Sequence, residues 1–221
     1  MDKIMAIATK YNLYVVEDNA QAHLAKYNNQ ITGSFGNINA TSFYPTKNIG
    51  AIGEAGCITT QNLRLSEFAT KYRNYGSSEK HFCDIVGSNS RLDELQAAIL
   101  NVKLKYIEKW TSERQIIAKK YDQLLSKNSK ITIPYIDPKA QHVYHLYVIK
   151  VEKRDQLQQF LKEKGIGTAI HYPIPPHLQK AYAYLDYNKG DFPTAEELAN
   201  NSLSLPLYPG LKDDNLFHIS T

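Results

Sequence analysis

The first eighteen residues place a helical pattern directly before a short apolar strand, and this order constrains the fold most strongly. Residues 1–12 carry apolar side chains at helical spacing, namely Ile4, Met5, Ala8 and Tyr11. The next stretch, LYVVED (residues 13–18), is apolar, rich in strand-forming residues and ends on two acids. A helix followed at once by a buried strand is half of an α/β crossover unit, which needs a neighbouring strand. Because no strand pattern precedes this helix, we expect the chain to begin inside an α/β fold.

A glycine-rich segment follows, between residues 28 and 60. Short strand-like runs, NATSFY (39–44) and AGCITT (55–60), alternate in it with turns. Five of the 11 glycines fall within it, at positions 33, 36, 50, 53 and 56. Glycine at this density predicts a backbone that turns sharply or approaches a ligand closely.

The rest of the sequence predicts two parts of different character. Helical spacing covers residues 62–75 and then continues from Arg91 to Leu125 without proline or glycine, which predicts one long helix, kinked or straight. Beyond residue 130 we expect strands in ITIPYI and HLYVIKV, a helix over 154–164 and another over 194–202. The sequence therefore predicts an α/β part over residues 1–128 and a small α+β domain over 129–221.

Composition excludes several classes of protein. The 221 residues are 43% hydrophobic and 22% charged, as in an ordinary globular protein and unlike a disordered or collagenous chain. No apolar run approaches the ~18–20 residues that cross a bilayer, so we expect no membrane span. The excess of 26 basic over 22 acidic residues is small, and in KLKYIEK and IIAKKYDQ the two signs alternate, which does not favour nucleic-acid binding. Cys57 and Cys83 have no metal-ligand spacing and no signal peptide is recognisable, which favours the cytoplasm.

Asp18, Ser42 and Lys47 are the first candidates for chemistry. Asp18 closes a predicted strand, and ligands of parallel α/β sheets bind at the carboxyl ends of strands. It can equally be an acid that caps the next turn. Lys47 lies among turn-forming residues, where loss of solvent lowers the pKa of a nucleophilic amine, although most loop lysines are solvated. Ser42 can bind a phosphate or bond within its own strand.

Two further segments carry polar side chains beside structural signals. Asn89 precedes the helical pattern, together with Ser90 and Asp93, and any of the three can be a helix cap. His171 and Tyr172 stand in HYPIPPH, where prolines fix an extended loop. That loop can present both rings to a ligand, and packing explains it nearly as well.

Together these segments resemble the DegT/DnrJ/EryC1/StrS family of sugar aminotransferases, which depend on pyridoxal phosphate. The resemblance is carried by EDNAQAH, GSFGNINATSFYPTKNIGAIGEAG, NSRLDELQAAIL, HYPIPPH and GDFPTAEELANNSLSLPLYP, in that order, and extends over residues 1–216. It implies part of the large domain of an aspartate-aminotransferase-like (fold type I) enzyme, followed by the small C-terminal domain. The branch that aminates C3 of dTDP-3-keto-6-deoxyhexoses is the most similar.

The resemblance implies roles for individual residues. Lys47 matches the lysine that forms the Schiff base with pyridoxal phosphate and later moves a proton. Asp18 matches the acid that pairs with the pyridine nitrogen, which lets the ring act as an electron sink. Gln21 matches a contact of the ring hydroxyl and Ser42 a contact of the cofactor phosphate. Asn89 matches an asparagine that reaches the phosphate in the partner subunit, which implies a homodimer with a shared active site.

The same resemblance implies a substrate class. Tyr44, His171 and Tyr172 are similar to residues near the sugar. We therefore expect transamination of a nucleotide-linked keto sugar, with L-glutamate as the amino donor, for deoxyaminosugar or cell-surface polysaccharide biosynthesis. Amination at C4 instead of C3 remains an alternative.

The sequence departs from the family at its start, because Met1 corresponds to an internal position of a typical member. The first strands, a phosphate-binding loop and the aromatic residue that stacks on the cofactor would precede it. An inactive remnant of such an enzyme is therefore an alternative reading. A dehydratase of the same family is a third, but such members carry histidine in place of the Schiff-base lysine, and Lys47 counts against it.

Overall fold

The computed structural model describes residues 1–220, which form two compact units. The first comprises Met1–Ser112 together with Ile136–His145, and the second begins at Glu113 and holds the remainder. The division between the units thus falls after Ser112, upstream of residue 128, and the segment Ile136–His145 belongs to the first unit again. The boundary of the functional domains near residue 128 stays a prediction.

The first unit contains eight strands, three complete helices and the start of a fourth. The strands are β1 (Val16–Asp18), β2 (Lys26–Tyr27), β3 (Gln30–Ile31), β4 (Ile38–Ser42), β5 (Gly56–Thr59), β6 (Ser77–Glu79), β7 (Phe82–Cys83) and β8 (Ala140–Gln141). The helices are α1 (Asp2–Tyr11), α2 (Leu63–Tyr72), α3 (Glu94–Leu104) and α4 (Ile107–Leu125), the last of which continues into the second unit. The predicted helix at the start is confirmed, and strands form within LYVVED, NATSFY and AGCITT as predicted. The expectation that the first of these strands is buried is wrong, since Val16 in β1 is 70% exposed.

A three-stranded sheet in the order β1-β4-β5 organises this unit. β1 runs parallel to β4, with Asp18 opposite Ala40, whereas β5 is antiparallel to β4, with Gly56 opposite Ser42. Within the described residues, β5 has a neighbour on one side only, and all four of its residues are exposed. The mixed sheet agrees with the predicted α/β class.

The prediction of one long helix over residues 91–125 is wrong. α3 does not begin until Glu94, and it ends at Leu104, before α4 starts at Ile107. Neither proline nor glycine causes the break. Leu100 and Ile107 both enter one buried cluster with Ile49 and Ala51, as residues seven apart on one helix face also would, so this packing does not account for the break.

The second unit is built on a two-stranded sheet. Its elements after α4 are β9 (Tyr147–Lys150), α5 (Arg154–Glu163), α6 (Pro193–Asn201), β10 (Ser202–Leu205) and α7 (Asp213–Ser220), with 3-10 turns at Pro176–Leu178 and Lys180–Leu185. β9 and β10 are antiparallel, with Tyr147 opposite Leu205. The predicted strand HLYVIKV and both predicted helices are confirmed, whereas β10 and α7 were not predicted.

The predicted strand ITIPYI does not form. Only Thr132 of this segment pairs, through a single bridge to Lys150. Pro134 lacks the N–H group that a continuing ladder needs, which explains why pairing stops.

A stacked pair of tyrosines lies in the core of the second unit. Tyr121 and Tyr147 are both fully buried, with ring centroids 4.8 Å apart. Each hydroxyl has an acceptor: Tyr121 donates to the Pro206 carbonyl at 2.8 Å and Tyr147 to the Asp122 carboxylate at 2.6 Å. Burial raises the pKa of Tyr121, so its hydroxyl stays a donor.

Across residues 1–220, no helix combines the length and the apolar character that a membrane span requires.

Candidate functional site

The carboxyl ends of β1 and β4 form the edge of the sheet where the candidate site lies. Because the two strands are parallel, Asp18 at the end of β1 and Ser42 at the end of β4 face the same edge. Lys47 follows on the loop after β4. The structure therefore brings these three predicted residues to one region of the first unit.

Asp18 caps a turn and is exposed at this edge. Its Oδ1 accepts the Ala20 N–H at 2.9 Å, which is the capping contact expected of an ordinary strand-end acid. The Asn19 N–H extends the strand pairing by donating to the Ala40 carbonyl at 2.8 Å. The turn fixes the direction of the Asp18 carboxylate, and one of its oxygens has no role in that turn.

Ser42 and Lys47 frame a tight loop. The Ser42 hydroxyl oxygen accepts the Tyr44 N–H at 3.2 Å, which leaves its own proton to donate. The Lys47 N–H donates to the Tyr44 carbonyl at 2.9 Å, and the Lys47 side chain is half-buried. The loop thus bends the chain so that an amine follows directly after the sheet edge.

Buried residues immediately after Lys47 anchor this loop. Asn48 is 8% exposed and its Nδ2 donates to the Val143 carbonyl at 3.0 Å, while Ile49 is 1% exposed within the core cluster. Gly50 packs against the loop itself, since a Cβ there would lie 2.5 Å from the Pro45 carbonyl oxygen. A Cβ at Gly56 would likewise lie 2.9 Å from the Thr41 carbonyl oxygen, so close backbone packing within the chain explains both glycines.

His23 belongs to the same region and was not predicted. Its ring is 7% exposed and stacks on Phe43 with centroids 5.6 Å apart. Burial lowers the pKa of His23, the nearby positive charge of Lys47 lowers it further, and the backbone of Ser42 opposes both. Within the described chain, neither ring nitrogen makes a hydrogen bond. The one sequence feature that could have pointed to His23 is its place in the segment EDNAQAH, five residues after Asp18.

Glu17 is a second residue that sequence reasoning missed. Its carboxylate accepts three backbone N–H groups, from Gly33, Phe35 (3.0 Å) and Gly36 (3.3 Å). These contacts tie the loop before β4 to β1. Glu17 therefore holds the two parallel strands in the register that places their ends together.

The remaining predicted residues of the first unit are accessible. Gln21 is exposed in the turn after β1, and Tyr44 is 45% exposed just beyond β4. Asn89 is exposed ahead of α3, and its Oδ1 accepts Nε of Arg91 at 3.0 Å. Asp93 occupies the N-cap position of α3 without a side-chain hydrogen bond, so no side chain of this segment caps the helix.

His171 and Tyr172 belong to the second unit. Nδ1 of His171 lies 2.8 Å from the Ser204 hydroxyl on β10, and the ring packs edge-on against Tyr172 at 5.3 Å. Tyr172 is 66% exposed. The strand β10 therefore positions the histidine, and the tyrosine extends into solvent.

The whole sequence, residues 1–221, matches the DegT/DnrJ/EryC1/StrS aminotransferase family, and the chain belongs to it. It is 46% identical over 209 residues to the dTDP-3-amino-3,6-dideoxy-alpha-D-galactopyranose transaminase of Aneurinibacillus thermoaerophilus, covering 95% of this chain and 57% of that protein. It is 38% identical over 221 residues to the UDP-N-acetyl-3-dehydro-alpha-D-glucosamine 3-aminotransferase of Acidithiobacillus ferrooxidans, covering 100% and 59%.

A solved structure gives the same fold. The crystal structure of DesV from S. venezuelae, in complex with a ketimine intermediate, superposes with a TM-score of 0.96 at 39% identity, covering 99% of this chain and 59% of that one. The resemblance inferred from the motifs and the fold of a pyridoxal-phosphate aminotransferase are confirmed, and the family's cofactor is pyridoxal phosphate. The chain spans less than two thirds of the length of these relatives.

Proposed function

We propose that this protein takes part in a pyridoxal-phosphate-dependent transamination of a nucleotide-linked keto sugar. The observation that carries the proposal is the parallel pairing of β1 with β4, which brings Asp18, Ser42 and the Lys47 loop to one sheet edge. In the overall reaction, the amino group of L-glutamate replaces the ketone oxygen of the sugar. The sugar carbon is reduced and glutamate is oxidised to 2-oxoglutarate.

The side chains at this edge fit the cofactor chemically. A carboxylate suits a protonated pyridine nitrogen, an amine suits an aldehyde, and hydroxyl and carboxamide groups suit a phosphate. Asp18, Lys47 and Ser42 supply the first three of these groups at this edge, and we propose that Asn89 supplies the carboxamide to the cofactor of the partner subunit. The ring of His23 is also buried in this region, and in the described chain its nitrogens make no hydrogen bond of ordinary geometry, which leaves them available to a polar group.

Each of these residues has a proposed task. When bound, pyridoxal phosphate supplies an electron sink next to the substrate carbon. Asp18 keeps the ring nitrogen protonated, Gln21 contacts the ring hydroxyl, and Ser42 donates to the phosphate. The Lys47 amine holds the cofactor covalently in the resting protein, and during turnover it carries the proton between a substrate carbon and a cofactor carbon. The anchored residues 48–50 limit where that amine can reach.

For the substrate, we propose a dTDP-3-keto-6-deoxyhexose, with Tyr44, His171 and Tyr172 near the sugar. Support comes from the named activity of the Aneurinibacillus relative, which concerns a 3-amino sugar linked to dTDP. A second relative is named for a UDP-linked sugar. The two relatives therefore share amination at C3 and differ in the nucleotide. We propose the cytoplasm as the compartment, since Cys57 and Cys83 are both free and exposed.

The first experiment is borohydride trapping on the purified chain after addition of pyridoxal phosphate. We expect an absorbance band at ~420 nm that borohydride abolishes, and we expect mass spectrometry to find a pyridoxyl group on Lys47. Lys47→Ala removes the amine and should abolish both signals. Lys10→Ala, an exposed lysine on α1, is the matched control and should leave them unchanged. Adducts spread over several lysines would contradict the assignment of Lys47.

Asp18→Asn separates the electronic role of the carboxylate from its structural one. The Asn Oδ1 can still accept the Ala20 N–H, so the turn after β1 should persist. We therefore expect the Lys47 adduct to form while release of 2-oxoglutarate from L-glutamate falls at least ~100-fold. Turnover near that of the parent chain would contradict the pairing of Asp18 with the ring nitrogen.

A site shared between two subunits is also testable. If Asn89 serves the cofactor of the partner subunit, Asn89→Ala and Lys47→Ala chains should complement each other when mixed. In half of the sites of a mixed dimer, one chain supplies Lys47 and the other Asn89. No recovery of 2-oxoglutarate release, with mixed dimers verified by native mass spectrometry, would contradict a shared site.

A further inference from the structure

The main chain around Asn89 is held in place by the residues that follow α2. The Ser90 N–H donates to the Arg73 carbonyl at 2.8 Å, and Asn89 forms an antiparallel bridge with Asn74. The backbone on both sides is therefore fixed. The orientation of the Asn89 carboxamide is the remaining variable at this position.

Arg91 contacts the Asn89 carboxamide. Its Nε donates to Oδ1 of Asn89 at 3.0 Å, and its guanidinium carbon lies 5.6 Å from the centre of the Tyr75 ring. An arginine has only donors, so the amide atom that faces it must be the oxygen. The NH₂ group of Asn89 consequently points away from Arg91 Nε. A carboxamide without this contact can present either its oxygen or its NH₂ group to a ligand.

We propose that Arg91 is a positioning residue, which holds the Asn89 carboxamide with its NH₂ group directed outward as a donor to the cofactor phosphate. The inference rests on the proposed function, in which Asn89 binds that phosphate. The cleft around Asn89 is also lined by Asp93 and Glu94, whose carboxylates disfavour an anion. A donor of fixed orientation next to a guanidinium charge offsets this repulsion, whereas a freely rotating amide would not.

Tyr75 supports Arg91 from the other side. A guanidinium over an aromatic face is attracted by the ring and loses rotational freedom. Tyr75→Phe keeps that face and should leave Asn89 unaffected, whereas Tyr75→Leu removes it and should partly release Arg91. This pair of variants tests whether the chain of contacts runs from the ring through the guanidinium to the amide.

The experiment follows the side-chain amide of Asn89 by NMR on the ¹⁵N-labelled chain. The signal is assigned by its loss in Asn89→Ala. Arg91→Met removes charge and donors, Arg91→Lys keeps the charge but loses the planar fork, and Arg64→Lys on exposed α2 is the control. We expect both Arg91 variants to shift the Asn89 amide signal in the free protein and the Arg64 variant to leave it in place.

Affinity for pyridoxal phosphate supplies the second readout, with pyridoxal, which lacks the phosphate, as the comparison ligand. The two Arg91 variants should bind pyridoxal phosphate about 3- to 10-fold more weakly, as expected for one lost hydrogen bond, with no change for pyridoxal. The double variant Asn89→Ala with Arg91→Met should bind no more weakly than Asn89→Ala alone. Additive losses would show that Arg91 contacts the phosphate directly and would overturn the proposal.

The two hypotheses fail in different ways. If the parent chain binds no pyridoxal phosphate, the proposed function fails for this chain, and the Asn89 signal of the free protein still decides the role of Arg91. If the parent chain binds but Arg91→Met leaves the Asn89 signal in place, the positioning role is refuted and the proposed function stands.

Discussion

Replacing Gly50 by alanine should displace the loop that carries Lys47. A Cβ at position 50 would lie 2.5 Å from the Pro45 carbonyl oxygen and 2.7 Å from that of Tyr44. Both obstacles are backbone atoms, so no side chain can rotate out of the way. An ordinary contact begins at 3.4 Å, and the loop must therefore shift by about 0.9 Å to accept the methyl group.

The size of the effect follows from that displacement. Forcing one methyl group into a packed site costs about 1–3 kcal/mol in the free energy of unfolding. The downstream side of the loop cannot absorb the shift easily, because Ile49 is buried and Asn48 is bonded to the Val143 carbonyl. We therefore expect movement on the Lys47 side, with slower formation of the covalent adduct in addition to the loss of stability.

Urea unfolding monitored by far-UV circular dichroism measures the stability change, and borohydride trapping measures the rate of adduct formation at Lys47. Gly167→Ala is the matched control, because a Cβ there meets nothing within 4 Å. It should leave stability unchanged or raise it by up to about 1 kcal/mol. If Gly50→Ala and Gly167→Ala agree within about 0.5 kcal/mol, the close-packing argument for the Lys47 loop is refuted.

Three further changes test individual contacts. The fold lowers the pKa of His23, so the unfolded chain binds a proton there more readily, and the free energy of unfolding falls as the pH drops through 6.5. In urea titrations, His23→Phe should therefore lose less stability than the parent chain between about pH 7 and about pH 5. Tyr121→Phe removes a hydroxyl that donates to the partly buried Pro206 carbonyl at 2.8 Å and should cost about 1–2 kcal/mol. The exposed control Tyr135→Phe should cost less than about 0.5 kcal/mol by the same assay. Asn62 caps α2 by accepting a backbone N–H at 3.2 Å, so Asn62→Ala should cost about 0.5–2 kcal/mol and Asn62→Ser should recover most of it, as followed by circular dichroism.

Local patterns were sufficient for the strands that build the site. The runs LYVVED and NATSFY each carry their strand signal within six residues, and their pairing needs only the parallel geometry of an α/β unit. The tight loop around Lys47 was likewise signalled by its proline and glycines. These features could be predicted because each depends on neighbours in the sequence.

Features that depend on distant contacts were missed. The strand β10 forms against β9, more than fifty residues earlier in the chain. His23 likewise becomes notable only when Phe43 covers its ring. Tertiary packing, which periodicity does not report, decides both.

The edge of the sheet at β5 has a consequence for handling the protein. Its sequence, Gly-Cys-Ile-Thr, contains neither charge nor proline, the usual protections of an outer strand, and Ile58 is 56% exposed. Such an edge offers a row of backbone donors and acceptors to any extended segment. We expect the isolated chain to add strands from neighbouring molecules as its concentration rises, and we expect dilution to reverse this association.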